Sequence, residues 1–450
     1  MKKICLVLIS VLLFSNLKSQ IVSAKIDTLI KKFIKQAKIP GLSVSVSMGN
    51  KVIYSNAFGL QDVEQNVPAT TDTKYRIGSL AKLFTATTFI KQISKGIFRE
   101  DSKVSEFIPG LPLNYQFITL SQLASHTSGV RHYTRNEILT KNTVEYKKLE
   151  DGLSRFINDT LLFSPGEKYL YSSYGYILLG AALENITHES FNMLVQNEIF
   201  RPARMRATLP ERLEDESSKS VFYYPANMDS LTIASGDNYS YKWPAGGYLS
   251  TPTDLVKFGS ALLDEKIIDK QSLHLLFESK KTTKGKETGS GYGFRIGTDS
   301  RGRKVVHHGG VSEGARAFLL LYPDEKLSIA ICANIFLAPL FEGEAETIAG
   351  YFLDDYISGQ NILPSKQFNY TTTSNKKELK GKIVIDGNKG VIYSFNNADL
   401  PIIDVVYDKD KIRIIAASAD GLINFWLTKD NSNYTGSWGH DKPATAITIE

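Results

Sequence analysis

Apolar and polar residues alternate in two different patterns at the start of the chain. Between residues 26 and 37, apolar side chains recur every three or four positions, and Pro40–Gly41 ends the run. This spacing predicts an amphipathic helix. Residues 42–48 and 51–58 alternate apolar and polar side chains on either side of Gly49–Asn50. That alternation predicts a β-hairpin.

The middle of the chain predicts helices, and its later part returns to strands. Long helices are predicted at residues 79–96, 175–186 and 252–265. Strands are predicted at 292–297, 316–323 and 327–335, followed by a last helix at 340–357. Strands at both ends with helices between them indicate an α+β fold, in which distant parts of the chain complete one sheet.

The C-terminal part has a different pattern. Residues 358–378 are mostly polar and predict a linker. Beyond the linker, residues 379–450 predict a small all-β domain. Its short strands are predicted at 381–386, 390–395, 402–407, 411–417 and 422–428. We therefore divide the chain into residues 1–24, a main domain at 25–357, the linker and the β domain.

Composition and charge exclude one class of partner. Of 450 residues, 42% are hydrophobic and 22% are charged, which is ordinary for a globular protein. The net charge of +6 is spread along the chain, and the short basic run at 280–286 resembles a solvated loop. Nucleic-acid-binding proteins cluster their basic residues, so we expect no nucleic-acid partner.

The N-terminus has the form of a signal peptide. Lys2 and Lys3 precede the apolar run 4–14, which is too short to span a bilayer, and Val22–Ala24 offers a cleavage site. We expect an exported protein, periplasmic or secreted, without stable membrane insertion. An uncleaved N-terminal anchor is the alternative. The sequence determines neither the cleavage site nor the oligomeric state.

Removal of residues 1–24 would leave Cys332 as the remaining cysteine. Its apolar, strand-like surroundings predict a buried and unreactive thiol. The seven histidines show no metal-ligand spacing, and neither CxxC nor HExxH occurs. We therefore expect no metal or other cofactor.

Ser79 and Lys82 have the S-x-x-K spacing, which also occurs at Ser15–Lys18 and Ser374–Lys377. What distinguishes Ser79 is that it follows Gly78 at the start of a long apolar helix. The helix N-terminus favours an alkoxide there, and the i, i+3 spacing places Lys82 on the same face as Ser79. Flanking apolar residues would lower the pKa of Lys82, as a proton acceptor requires. An N-cap serine followed by a lysine at the helix surface is the structural alternative.

Two further segments contain candidate site residues. Tyr171 lies two residues before Ser173, where the next helix begins, and a lysine near a tyrosine would lower its pKa. His308, Gly309 and Gly310 lie at the start of a strand-like stretch, where glycines allow a substrate backbone to approach. The structural alternatives are an aromatic packing residue at Tyr171 and an exposed glycine-rich turn at 308–310.

Taken in order, these three segments resemble the serine β-lactamase and penicillin-binding-protein superfamily. That family has S-x-x-K, Y-x-N and then K-T-G or H-x-G. The similarity is to the branch of class C-like β-lactamases, D-aminopeptidases, D,D-carboxypeptidases and esterases, and it covers about residues 26–357. Residues 125–133, SHTSGVRHY, resemble the subgroup that contains the mitochondrial serine β-lactamase-like protein. The resemblance implies an antiparallel sheet flanked by helices, with a helical insertion.

The resemblance also implies roles for individual residues. Ser79 would be the acylated nucleophile, with Lys82 and Tyr171 sharing proton transfer. The backbone N–H groups of Ser79 and Val311 would form an oxyanion hole. The substrate-binding residues would be Ser173, His308 and Gly310.

Two departures from the family pattern affect the substrate. Ser173 replaces the usual asparagine and has a shorter side chain. His308 replaces the lysine of many β-lactamases and is mostly neutral at pH 7, which weakens recognition of a carboxylate even if Arg316 assists. Both departures argue against an efficient β-lactamase.

The expected activity is that of a secreted serine hydrolase that forms an acyl-enzyme with peptides, amides or esters. Substrates with D-amino acids and weak hydrolysis of β-lactams are consistent with it. The alternative is a non-catalytic binding or sensor protein that retains the pocket. For the β domain, the roles left open are a cap on the active site, docking to the main domain and binding of cell-wall material.

Overall fold

The computed structural model describes most of the chain: residues 2–212, 218–227, 230–234, 236–299, 301–336, 338–339, 341–353, 365–374, 377–386, 389–396, 398–408, 411–418, 421–430, 433–439 and 445–449. The described residues group into two compact units. One unit is Pro40–Leu340, and the other joins the residues before Pro40 to those from Phe341 onward.

The helices of the described chain are numbered in sequence order. They are α1 (Lys2–Gln36), α2 (Ala81–Ser94), α3 (Leu120–Ala124), α4 (Arg135–Leu139), α5 (Ser173–Thr187), α6 (Phe191–Val195), α7 (Arg201–Ala203), α8 (Pro252–Leu263), α9 (Lys270–Leu276) and α10 (Glu342–Leu353). Short 3-10 turns occur at Gly78–Leu80, Val104–Glu106 and Glu150–Arg155, and a π turn at Gln196–Phe200.

The strands are numbered in the same way. In the unit Pro40–Leu340 they are β1 (Gly41–Met48), β2 (Lys51–Asp62), β3 (Val67–Pro68), β4 (Tyr75–Arg76), β5 (Leu209–Pro210), β6 (Tyr223–Pro225), β7 (Leu231–Ile233), β8 (Tyr248–Ser250), β9 (Arg295–Thr298), β10 (Lys304–Ser312), β11 (Ala315–Tyr322) and β12 (Leu327–Ala333). In the other unit they are β13 (Lys366–Ser374), β14 (Lys377–Asp386), β15 (Lys389–Phe395), β16 (Ala398–Asp408), β17 (Lys411–Ser418), β18 (Gly421–Asp430), β19 (Asn433–Gly439) and β20 (Thr445–Ile449).

The central sheet of the unit Pro40–Leu340 joins strands from both ends of its sequence. Among the described strands it has seven, in the order β3-β2-β1-β12-β11-β10-β9. Strand β1 pairs antiparallel with β12, with Leu42 opposite Ala333 and Met48 opposite Leu327. The predicted hairpin is confirmed as β1 and β2, and Gly49 supplies the positive φ of its turn. The α+β prediction, with one sheet completed by distant segments, is therefore confirmed.

Helices fill the sequence between the early and late strands. The predicted helices at 79–96, 175–186 and 252–265 are observed as α2, α5 and α8, each within a few residues of the prediction. Most of the side chains of α2 and α5 are buried, and together with residues of the sheet they form the main apolar core. Because α2 is buried on nearly every side, the residues at its N-terminus are held in a fixed environment.

The second unit contains a closed eight-stranded antiparallel barrel, β13 to β20 in sequence order, within the described residues. Apolar side chains from its strands fill the interior, including Ile383, Phe425 and Trp438. Outside the barrel, Tyr351 of α10 donates a hydrogen bond to Asp404 at 2.8 Å, and Lys32 of α1 donates to the Ile403 carbonyl at 2.7 Å. The predicted C-terminal all-β domain is confirmed as this barrel.

The C-terminal part of the predicted linker contains a strand in the structure. Residues 366–374 form β13, the first strand of the barrel, whereas 358–364 lie outside the described residues. The strand directs Phe368, Tyr370 and Thr372 inward, while the intervening side chains are exposed. Since every outward position of β13 in this stretch is polar, its composition resembled that of a linker.

In the described part of the chain, no helix is long and apolar enough to cross a membrane. Helix α1 covers residues 2–24 of the predicted signal peptide and residues 26–36 of the predicted helix.

Candidate active site

Ser79 lies in the 3-10 turn Gly78–Leu80, which runs directly into α2. In this described stretch, neither the turn nor the helix has a side-chain cap hydrogen bond. The alternative of an N-cap serine is therefore wrong. The Ser79 hydroxyl is half-buried and contacts the next lysine instead.

Lys82 lies one turn further along α2, and its side chain is 0% exposed. Its Nζ lies 3.1 Å from Ser79 Oγ and donates a second hydrogen bond to the Ala245 carbonyl at 2.7 Å. Burial lowers the pKa of Lys82 well below its ordinary value, and the charge of Lys242 lowers it further. The alternative of a surface lysine is wrong, and the neutral amine favoured here can accept a proton from Ser79.

Tyr171 precedes α5, and its ring faces both Lys82 and His308. Lys82 Nζ lies 5.0 Å from the centre of the ring, and the His308 ring centre lies 5.9 Å away. Burial raises the pKa of Tyr171, and this outweighs the lowering by its hydrogen bond with the Ser79 side chain. The predicted lowering of the Tyr171 pKa is wrong. Burial favours the neutral phenol, and it also favours the neutral form of Lys82, whose positive charge was expected to lower that pKa. Tyr171 therefore contributes a hydroxyl to the site, not a phenolate.

Two histidines that were not predicted as site residues support the segment with Tyr171. His126 Nδ1 accepts a hydrogen bond from the Ser172 N–H, and His132 Nδ1 accepts one from the Ser173 N–H, each at 3.1 Å. Burial lowers the pKa of both histidines, that of His132 to about 4, so their rings are neutral acceptors. The segment 125–133 contains both histidines, and its resemblance to a subgroup of the family could have indicated them as site residues.

Ser173 is the first residue of α5 and is 2% exposed. Its side chain interacts with Tyr171 and lowers the pKa of the tyrosine, against the larger effect of burial. Ser172, the preceding residue, caps the helix by accepting a hydrogen bond from the Gly175 N–H at 2.9 Å. The N-terminus of α5 is thus fixed directly beside Tyr171.

His308 lies in the middle of β10, and not at the start of a strand. His307 and His308 are 9% and 4% exposed, so the alternative of an exposed glycine-rich turn is wrong. The His308 Nδ1–H donates to the Gly309 carbonyl at 2.6 Å. Burial, followed by the charge of Lys82, lowers the pKa of His308 to about 3. Its ring is therefore neutral and supplies no positive charge for a substrate carboxylate.

Two glycines allow the backbone before Ser79 to lie against β10. A Cβ on Gly310 would lie 2.0 Å from the Ile77 carbonyl oxygen. A Cβ on Gly78, whose φ is +49°, would lie 2.5 Å from the Val311 carbonyl oxygen and 2.7 Å from its nitrogen. Larger residues would separate the two backbones. The structure therefore brings the peptide of Val311 beside the turn that carries Ser79.

Arg316 lies opposite Val311 in the pairing of β10 with β11, and its guanidinium contacts Phe336. Its Nε donates to the Phe336 carbonyl at 2.7 Å, and its guanidinium lies 5.5 Å from the centre of the Phe336 ring. Among the residues that the structure describes, no group of three or more His, Cys, Asp or Glu side chains is arranged to hold a metal ion.

Comparison with known proteins assigns most of the chain to one family model. The model described as Beta-lactamase matches residues 26–350. Protein flp of Staphylococcus aureus strain MRSA252 is 26% identical over 319 residues, which is 69% of this chain and 62% of that protein. The chain thus spans less than two thirds of that relative's length. Penicillin-binding protein 4* of Bacillus subtilis is 27% identical over 312 residues, 65% of this chain and 67% of that protein.

Solved structures share the fold. The octameric penicillin-binding protein homologue from Pyrococcus abyssi superposes with a TM-score of 0.65 at 22% identity, covering 94% of this chain and 99% of that chain. The D-stereospecific amidohydrolase from a Streptomyces species has a TM-score of 0.61 at 23% identity, covering 74% of this chain and 98% of that chain.

Proposed function

The chain belongs to the beta-lactamase family, and from this premise we propose that it is a secreted serine hydrolase that forms an acyl-enzyme with peptide, amide or ester substrates. Membership of this serine β-lactamase and penicillin-binding-protein superfamily, inferred from three motifs, supports serine acyl transfer in general. One observation supports the assignment of residues most directly. The buried amine of Lys82, with its lowered pKa, lies 3.1 Å from Ser79 Oγ.

In the proposed acylation step, Ser79 Oγ attacks the substrate carbonyl carbon while its proton passes to Lys82 Nζ. The carbonyl oxygen becomes an oxyanion that accepts hydrogen bonds from the N–H groups of Ser79 and Val311. Removal of one such donor typically costs about 3–4 kcal/mol of transition-state stabilisation. The intermediate then collapses, the bond to the leaving group breaks, and the leaving group takes a proton from Lys82 through the Tyr171 hydroxyl.

Deacylation repeats the same transfers with water as the nucleophile. Lys82 takes a proton from the water as it attacks the acyl carbon. The bond between the acyl carbon and Ser79 Oγ then breaks, and Ser79 Oγ regains a proton from Lys82. Tyr171 serves as a neutral relay because its pKa is raised by burial. No carboxylate general base is required, since the neutral lysine fills that role in both steps.

The charge state of the site favours a substrate that is neutral where it contacts His308. The lowered pKa values of His308 and His132, about 3 and 4, keep both rings neutral near pH 7. An ester or an internal amide meets this condition better than a terminal carboxylate. Peptides with D-amino acids are proposed as one group of substrates, in line with the D-stereospecific amidohydrolase that shares the fold. Export is proposed from the sequence of residues 1–24.

The proposal is tested by labelling the protein with a fluorophosphonate and measuring its intact mass. We expect a single adduct on Ser79 and hydrolysis of p-nitrophenyl esters, both lost in Ser79→Ala. The exposed Ser94, at the other end of α2, provides the matched control Ser94→Ala. An unlabelled wild-type protein whose ester hydrolysis survives Ser79→Ala would overturn the proposal.

A second candidate function is a binding or sensor protein that is acylated without turnover. Ser173 favours it, because serine has one short hydroxyl where the family usually has asparagine. Acylation with a fluorescent penicillin followed over time separates the two candidates. Release of the label within minutes supports the hydrolase, and a persistent adduct with no ester turnover supports the sensor. Rapid nitrocefin hydrolysis would instead indicate a β-lactamase.

A further inference from the structure

We propose that Glu313 and Lys242 are positioning residues for the reaction: together they fix the backbone donors beside Ser79 and set the electrostatic environment of Lys82. The inference rests on the proposed function, since it assigns these residues through Ser79, Lys82 and Val311. Neither residue belongs to the three motifs of the sequence. Three sets of contacts around Glu313 and Lys242 support it.

The first contact joins the two segments that would form the oxyanion hole. Arg76 lies three residues before Ser79, and its Nη1 donates to the Glu313 carbonyl at 2.7 Å. Glu313 in turn follows Val311 by two residues. Arg76 is 3% exposed, and its Nε lies 3.0 Å from both carboxylate oxygens of Glu211, which is equally buried. A fixed guanidinium therefore ties the start of the Ser79 turn to the end of β10.

The second contact fixes the Glu313 side chain. Its Oε2 accepts hydrogen bonds from the Tyr239 hydroxyl at 2.6 Å and from Ser312 Oγ at 2.8 Å, and Oε1 lies 3.5 Å from Lys242 Nζ. Burial by itself would raise the pKa of Glu313, but Lys242 and these hydrogen bonds bring it to about 2. The carboxylate is thus charged throughout the pH range of an activity assay.

The third contact extends to Lys82. Lys242 begins a tight turn in which its carbonyl accepts hydrogen bonds from the N–H groups of Ala245 and Gly246, each at 2.9 Å. The Ala245 carbonyl then accepts the hydrogen bond from Lys82 Nζ at 2.7 Å. The ion pair of Glu313 and Lys242 therefore connects β10 to the loop that holds the proposed base.

Lys242 also acts on Lys82 through its charge. The titratable groups that interact with Lys82 from the surrounding elements are Tyr171, Tyr176, His126, His132, His308 and Lys242. Burial keeps the two tyrosines and three histidines neutral near pH 7. The cation of Lys242 is the group that lowers the pKa of Lys82 after burial. The carboxylates of Glu313 and Asp237, 3.5 and 3.6 Å from Lys242 Nζ, partly offset that cation.

These contacts matter for rate because the oxyanion donors must be placed within a few tenths of an ångström. A displacement of about 1 Å can cost about 100-fold in rate. Loss of either charge would move the donors and would also change the proton affinity of Lys82. A merely structural pair would affect stability alone.

The test measures kcat/KM for a p-nitrophenyl ester against pH in Lys242→Met and Glu313→Gln. In Lys242→Met the acidic limb of the profile should move to higher pH by about 0.5 unit or more, because a cation that opposes protonation of Lys82 is gone. In Glu313→Gln it should move to lower pH, because Asp237, 3.6 Å from Lys242 Nζ, is then the remaining carboxylate of the pair that offsets the Lys242 charge. The plateau kcat should fall about 10-fold or more in both variants.

Two further variants make the result decisive. Lys242→Arg retains the cation and should keep the acidic limb at the wild-type pH. Lys257→Met breaks a comparable ion pair with buried Asp254, at 2.9 Å in α8, and should lower stability without moving the limb. If Lys242→Met fails to fold, Glu313→Gln and Lys242→Arg decide the question.

Folded variants that label with fluorophosphonate and retain the wild-type pH profile would overturn this inference while leaving the proposed function intact. An inactive, unlabelled wild-type protein would overturn the proposed function itself. The two failures are therefore distinguishable.

Discussion

The amine of Lys82 lies 3.1 Å from the hydroxyl oxygen of Ser79, at a position with no exposure to solvent. The same amine donates to the Ala245 carbonyl at 2.7 Å, so its position is fixed from two sides. Because burial lowers the pKa of Lys82, this contact pairs a hydroxyl with an amine that favours its neutral form.

The first prediction concerns the proton acceptor. The neutral fraction of Lys82 grows as pH rises through its lowered pKa, so kcat/KM should rise with pH and reach its plateau well below pH 10.5. Lys82→Arg introduces a group that stays protonated and should reduce kcat/KM by about 100-fold or more across the whole range. Lys91→Arg in the same helix is the control and should retain activity. A profile still rising at the ordinary pKa of lysine would contradict the prediction.

The second prediction compares two adjacent glycines of β10. In Gly310→Ala the new methyl group would meet the Ile77 carbonyl 2.0 Å away, so β10 must move from the Ser79 turn and kcat/KM should fall about 100-fold. In Gly309→Ala the nearest atom is a carbon of the Phe318 side chain at 3.7 Å, an ordinary contact, and activity should stay close to wild type. Steady-state ester hydrolysis measures both. Equal activities in the two variants would show that the close approach is unnecessary.

The third prediction concerns acid stability. Burial lowers the pKa of His126, His132, His307 and His308, the last three to about 4, 4 and 3. Unfolded histidines bind protons near pH 6.5, so between pH 6.5 and about 4 the unfolded state holds more protons than the folded state. The free energy of unfolding should therefore be highest above pH 6.5 and decrease on acidification, by about 1.4 kcal/mol per pH unit for each histidine.

Calorimetry at pH 7 and pH 4.5 checks this expectation. His308→Asn should show a smaller drop in unfolding temperature between the two pH values, since one buried titrating group is removed. His274→Asn changes an exposed histidine and should leave the drop as in wild type. Equal drops in both variants would contradict the assignment to the buried rings.

The fourth prediction concerns the barrel unit. Asn424 Oδ1 accepts hydrogen bonds from Arg413 Nε and Nη2 at 3.2 and 3.0 Å, and its amide donates to Thr347 Oγ1 at 2.8 Å. Both Asn424 and Arg413 are buried. Asn424→Ala removes the oxygen that accepts two hydrogen bonds from a buried cation and should cost about 3 kcal/mol of unfolding free energy. Urea unfolding followed by tryptophan fluorescence measures it, with the exposed Asn369→Ala as a control that should stay within about 0.5 kcal/mol of wild type.

The sequence determined those parts of the protein that depend on local pattern. Helical and alternating periodicity located α2, α5, α8 and the hairpin of β1 and β2. The predicted helix that starts after Gly78 distinguished Ser79 from the two chance occurrences of the S-x-x-K motif. By contrast, β13 was not predicted as a strand, because the exposed side of a barrel strand has the composition of a linker.

Only the tertiary structure decided the charge states of the site residues and which residues from distant segments surround Ser79. Ala245, His126 and Lys242 are distant from Ser79 in sequence, and a side chain's pKa depends on burial by all its neighbours. Local pattern therefore indicated that Tyr171 and His308 line the proposed active site. Packing from separate segments decided that both are neutral, that His308 lies inside a strand, and that Lys82 is buried enough to serve as the proposed base.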